Sequence, residues 1–268
     1  MYKSKAALAV FILAFASGAW ANMRAAINHI ELPSSPLTLP QGQKPMPQLV
    51  VQSETLDVDC DYDRCWVEAV YHITSSADAT LDFAFIMPAN TPVEAKVAGK
   101  YSAAKVTLER DAPEAPDPSY WNRCWSASEC AAVLSLYRAS FTGKVFKGKN
   151  TVEVAYFQPI THLEKAYGYF TSSRSIEVFA YEMAPLKEWQ LADDFTLKVT
   201  LSALRERPER DGGSSLFRSR SVNCILPGQK VEKNGEYLNL EATLDQNFPD
   251  RLVCNIGDSD LIDGNDYN

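Results

Sequence analysis

Six cysteines, three histidines and several closely spaced aspartates are the residues here whose types and spacing could do chemistry. An even cysteine set in an exported chain pairs into disulfides, and six allow fifteen pairings. Nearest-neighbour pairing predicts Cys60–Cys65, Cys124–Cys130 and Cys224–Cys254. Zinc ligation is the competing chemistry. The spacings are not C-x2-C, and exported thiols oxidise. With every cysteine paired, no thiolate remains as a nucleophile.

Hydrolytic chemistry finds little to start from. There is no G-x-S-x-G and no alternation of strands and helices to carry one. A Ser–His–Asp site needs no sequence adjacency. Each histidine nevertheless has an ordinary place: His29 on an edge strand, His72 on a strand face, His162 in a turn. No HExxH occurs. Asp57 and Asp59 share a strand face, with Asp61 and Asp63 in the following turn, while Asp258, Asp260, Asp263 and Asp266 crowd the tail. Calcium takes such oxygen clusters, but Gly264 falls one place late for the twelve-residue loop and no glutamate closes it. A solvated acidic surface is the simpler reading of both clusters. Carboxylate pairs suited to glycoside hydrolysis are too common in so acidic a chain to discriminate. No catalytic residue, metal or cofactor is expected.

Binding has better candidates. Tyr120, Trp121 and Trp125 surround Cys124 on a loop stapled to a helix start, as in a hot spot or sugar-stacking platform. Their competing role is a small core beneath that helix. Arg205, Arg207, Arg210, Arg218 and Arg220 alternate with Glu206, Glu209 and Asp211, which reads as a self-neutralised loop rather than an anion site.

The elements that must position these residues are strands. Residues 1–21 read as a secretory signal: Lys3 and Lys5, an apolar run from Ala7 to Ala16, and Ala19-Trp20-Ala21 for cleavage. No cysteine follows to take a lipid, and no other run is apolar enough to cross a bilayer. The chain's net charge is −8, more negative once Lys3 and Lys5 are removed, so nucleic acid is excluded as a partner. Residues 22–48 hold five prolines and read as an extended lead-in, with a short edge strand at Asn28–Leu32.

Residues 49–257 read as a β domain, with a subdomain break at 111–140 as the alternative to one unit. Leu49–Asp59 and Trp66–Thr74 form a hairpin clamped by Cys60–Cys65, and Leu81–Met87 folds back as a third strand. Val93–Val97 and Tyr101–Leu108 follow, with Gly99-Lys100 as their turn. Ser126 and Glu129 make a capping box for a helix over Ala127–Ala139. Phe141–Phe146, Thr151–Phe157, Ser175–Tyr181, Phe195–Ala203, Leu216–Leu226, Tyr237–Leu244 and Leu252–Ile256 complete the strands. Residues 258–268 form an acidic tail that frays. Short strands at regular spacing argue for an all-β, antiparallel β-sandwich, in one lobe or two, with one short helix and three disulfides. The helix, the disulfides and a hydrophilic C-terminus count against an outer-membrane barrel.

Three segments carry a resemblance: VEAVYHITSSADATLDFAFIMP (Val67–Pro88), GKNTVEVAYFQP (Gly148–Pro159) and IEVFAYEMAPLKEWQLADDFTLKV (Ile176–Val199). Their order is similar to that in exported bacterial proteins of unknown function that resemble the VIT-like β-sandwich at the front of inter-alpha-trypsin inhibitor heavy chains. The resemblance implies an interaction scaffold and supplies no catalytic residue.

The expected function is therefore a non-enzymatic binding or assembly module, periplasmic or extracellular, engaging a protein or envelope component. A secreted hydrolase of envelope polymers and a carbohydrate-binding module using Trp121 and Trp125 are the alternatives.

Overall fold

The computed structural model describes residues 22–28, 47–110, 135–168, 171–205, 220–224 and 226–262. The expected signal, the Tyr120–Trp125 loop with Cys124–Cys130, most of the expected helix and most of the arginine-rich loop lie outside them.

The hairpin at the start of the domain forms as the sequence predicts. β2 (Leu49–Cys60) and β3 (Arg64–Ser75) pair antiparallel in a register that sets Cys60 opposite Cys65, and the two are bonded. Asp61 shapes the turn: its Oδ1 accepts hydrogen bonds from the backbone N–H groups of Asp63 and Arg64, both at 2.8 Å. Along β3, Cys65, Val67, Ala69, Tyr71 and Ile73 are all buried, the period-two face of a half-covered strand.

The third strand departs from expectation. β4 (Ala79–Met87) does not fold back onto β3; its place is taken by β9 (Gly148–Pro159), whose Val152, Val154 and Tyr156 continue the buried face. β4 crosses instead into a separate sheet, where Leu81, Phe83 and Phe85 are buried beside Ala139 and Phe141 of β8 (Leu136–Val145). Leu136–Ala139, expected as the end of a helix, are the first residues of β8. Alternation and two paired neighbours outweigh local helix propensity there.

The described strands form three sheets. One has four strands in the order β1-β4-β8-β7, with β1 at Asn22–Asn28 and β7 at Lys105–Arg110. A second four-stranded sheet runs β10-β11-β16-β13: Thr161–Gly168, Thr171–Glu182, Arg251–Asp258 and Arg220–Cys224. The largest has eight strands, β14-β15-β12-β2-β3-β9-β5-β6. Its remaining members are β14 (Lys230–Asn234), β15 (Tyr237–Leu244), β12 (Gln190–Leu204), β5 (Val93–Val97) and β6 (Lys100–Ala103). All pairs are antiparallel except β2 with β12, which run parallel.

Other boundaries move. The strand expected at Tyr101–Leu108 breaks at Ala104 into β6 and β7, which belong to different sheets. The β5–β6 turn is centred on Ala98 and Gly99, at φ 48° and 73°, with Val97 paired to Lys100. His162 lies in β10, paired with Glu177, not in a turn. β1 ends at Asn28, where the expected edge strand begins; the rest of that expected strand, with His29, lies outside the described residues. The tail begins within β16 and continues into a four-residue helix, α1 (Ser259–Ile262).

One hydrophobic cluster joins the sheets: Met23, Phe83 and Phe141 from the first, Phe179, Leu252 and Cys254 from the second, and Leu56, Val154 and Leu201 from the largest. The second disulfide, Cys224–Cys254, bonds directly opposed residues of β13 and β16. Trp189 ends a 3-10 turn (Ala184–Glu188) and is buried, donating its indole N–H to the Met23 carbonyl at 2.9 Å.

Candidate functional site

The outer face of the eight-stranded sheet carries the candidate site. Register fixes its rows. Asn239, Ser202, Asp59, Trp66 and Phe157 are successive cross-strand neighbours on β15, β12, β2, β3 and β9. The next row on that face is Glu241, Thr200, Asp57, Glu68 and Ala155. The β14–β15 turn, Gly235 and Glu236, rises at one side with Tyr237, and Gly235 takes φ 61°. Arg205 N–H binds the Glu236 carbonyl at 2.7 Å and fixes that turn to the end of β12.

The two rows from β15 to β3, without Glu241, and the turn at Asn234–Tyr237 line an open groove of about 640 Å³. Asp57, Asp59, Glu68 and Glu236 supply carboxylates, Trp66 and Tyr237 supply rings, and Thr200, Ser202 and Asn239 supply neutral polar groups. Among the described residues no lysine or arginine lines it. Among the described residues, none of the four carboxylates has a basic ion-pair partner within 4 Å. Asp57 stands directly opposite Glu68, a like-charge arrangement that disfavours the sheet unless a cation relieves it. At the far edge Phe157 packs edge-on against Trp66 at 4.7 Å, and the Arg64 guanidinium lies 4.1 Å over the Phe157 ring.

A β-bulge separates this face from the core chemistry. The β2–β3 register shifts between Val51 and Ser53, so Leu49 and Val51 are buried before it and Glu54, Leu56 and Val58 after it. Glu54 is thereby turned inward, 1% exposed, where its Oε1 accepts the Tyr181 hydroxyl at 3.0 Å. Tyr181 and Tyr71 share a further hydroxyl contact at 3.1 Å. Tyr156 donates to Gln158 Oε1 at 3.2 Å, and Gln158 Nε2 donates to the Ala180 carbonyl at 2.9 Å. Burial, reinforced by the Glu54 charge, pushes the Tyr71 and Tyr181 hydroxyls well above their usual range. Burial alone does so for Tyr156. This network is sealed from solvent and ties strands of two sheets; it presents nothing to a ligand.

Arg220 corrects the reading of a self-neutralised loop. It is buried on β13, ion-paired with buried Glu177 of β11, and donates to the Leu204 carbonyl at 2.9 Å. Its guanidinium also lies 5.0 Å over the Tyr62 ring.

Cys60, Cys65, Cys224 and Cys254 are bonded as predicted. Tyr120, Trp121, Trp125, Cys124 and Cys130 lie outside the described residues. His72 is exposed on β3 between Ser53 and Thr151, and no hydrogen bond joins it to a serine or an acid among the described residues. Asp57 and Asp59 share a face as expected. The additions are Trp66, Glu68, Glu236 and Tyr237, whose partnership with them depends on which strands pair. The inward Glu54 had one local signal: it shares the parity of Leu56, Val58 and Cys60.

No family model matches the chain, and no curated protein matches it. Among solved structures it is similar to a candidate nutrient binding protein from Legionella pneumophila, at 11% identity and TM-score 0.49, over 78% of this chain and 67% of that one. It is also similar to the M1 zinc metallopeptidase of Deinococcus radiodurans (9% identity, TM-score 0.39, 77% of this chain and 42% of that one). A third is the leukotriene A4 hydrolase of Saccharomyces cerevisiae (8% identity, TM-score 0.40, 78% and 29%). The chain spans less than half the length of these last two. At such identities and TM-scores the likenesses assign neither family nor activity.

Proposed function

We propose that this chain is an exported, non-enzymatic binding module with a VIT-like β-sandwich architecture. It engages a protein or envelope component through the outer face of its eight-stranded sheet. The observation that carries the reading is the groove itself: four carboxylates with no basic partner among the described residues and two rings, displayed on a polar face of paired strands. Side chains held on strands present a preformed surface at low ordering cost. The two disulfides support export.

The test is site-specific crosslinking in the exported compartment, with a photoreactive residue at Thr200. One dominant adduct that disappears in Trp66→Ala and Asp57→Lys, both still folded, is the expected result. An adduct indifferent to both substitutions overturns the reading.

A further inference from the structure

Resting on that reading, we infer that the groove takes an extended basic segment of polypeptide, with lysine or arginine at alternate positions. Four observations converge on this occupant.

Charge is the first. Among the described residues the groove is lined by Asp57, Asp59, Glu68 and Glu236 and by no basic side chain, so its complement is cationic. The second is how the charges are spread. Strand pairing sets Asp57 and Asp59 two residues apart on β2, about 6.5–7 Å, with Glu68 one strand away. Acids laid out along a row suit several charges carried at intervals better than one ion at a point. Among the described residues no group of three His, Cys, Asp or Glu is gathered closely enough to hold a metal.

The third is period. Side chains on one face of an extended peptide repeat at the same 6.5–7 Å or so as Asp57 and Asp59. A strand-like ligand lying along β2 therefore brings alternate cations over successive acids. The fourth is what flanks and floors the groove. Trp66 and Tyr237 stand on β3 and β15, three strand spacings or roughly 14 Å apart, which leaves room for one extended chain. Their rings can cover lysine or arginine stems. Between them, Ser202 donates its hydroxyl to Asn239 Oδ1 at 2.6 Å, which holds the Asn239 amide in place, and the Asn239 NH2 and the Thr200 hydroxyl can bond a peptide backbone. A neutral sugar would stack on the same rings but would leave Asp57 facing Glu68 without relief.

The experiment is titration calorimetry of the folded chain at low salt with defined probes. These are an alternating Lys-Thr octapeptide, a block peptide of four Lys then four Thr, an alternating Glu-Thr octapeptide, and a panel of neutral cello-, malto- and chito-oligosaccharides. The alternating basic peptide should bind at least tenfold more tightly than the block peptide, and the acidic peptide not at all. Asp57→Asn with Asp59→Asn should weaken it at least tenfold. Both sites are exposed, and losing the charge opposite Glu68 should leave the melting temperature unchanged or higher, so lost binding would not be lost folding. Equal affinity for alternating and block peptides overturns the spacing argument. Trp66-dependent binding of an oligosaccharide with no peptide binding overturns the ligand class while leaving the outer face as the binding surface. No Trp66-dependent signal from any probe overturns both.

Discussion

Gly143 of β8 lies against Val97 of β5 so closely that a β-carbon at Gly143 would stand 2.3 Å from Val97 Cγ2 and 2.5 Å from its Cβ. The contact is between two sheets, since β8 and β5 belong to different ones. Valine is stiff about χ1 and its Cβ cannot swing away. Gly143→Ala should therefore force the strands apart and cost roughly 1–3 kcal/mol. Chemical denaturation should show it as a lower midpoint. Combining it with Val97→Ala should recover part of the loss.

Arg220 and Glu177 form a buried ion pair, and breaking one side strands the other charge. Arg220→Ala or Glu177→Gln alone should destabilise by roughly 3–5 kcal/mol. Replacing both, as Glu177→Leu with Arg220→Met, should cost far less. A double-mutant cycle by urea unfolding measures the difference.

Tyr71, Tyr156 and Tyr181 hold their protons more tightly folded than unfolded. A raised folded-state pKa gives stability that is complete below the unfolded value, near 10, and is lost as pH rises beyond it. Each ring should contribute a loss of about 1.4 kcal/mol per pH unit above 10. Tyrosinate absorbance and circular dichroism should then change together in one alkaline transition. Tyr156→Phe should make the transition shallower.

Ala98 occupies the left-handed region at φ 48° in a two-residue hairpin turn, where glycine or asparagine is favoured. Ala98→Gly should stabilise by about 0.5–1 kcal/mol and raise the melting temperature by a few degrees. A lower melting temperature would contradict the turn geometry.

The two described disulfides close loops of different length, with sequence separations of 5 and 30. In the chain-entropy account the first contributes roughly 2 kcal/mol and the second roughly 3.6 kcal/mol. Paired Cys→Ser substitutions, one disulfide at a time, should show Cys224–Cys254 as the larger loss.

Local pattern made much of this legible. The alternation through β3, β9 and β12 marks their buried faces, and the Cys60 to Cys65 interval marks a hairpin. Strand order was not legible, because a period-two face says which side is buried but not which neighbour covers the edge. Pattern alone therefore sets β4 beside β3, and links Asp57 and Asp59 to each other but not to Trp66, Glu68 and Tyr237. Arg220 misled because its partner, Glu177, is 43 positions away. The inward turn of Glu54 is masked in the sequence because the bulge at Gln52 changes the phase of β2 partway along.

The parallel junction of β2 with β12 bears on how the chain reaches its native state. Gln48 and Gln190, whose side chains share a hydrogen bond at that junction, are 142 positions apart. The β2–β3 hairpin can close early by local diffusion, but its other flank must wait for a segment synthesised much later. Until then Leu56 and Val58 sit on an open strand edge that any second chain could extend. A nascent or truncated molecule ending before Gln190 is therefore the form most prone to aggregate, and the slow step in assembly is the arrival of β12.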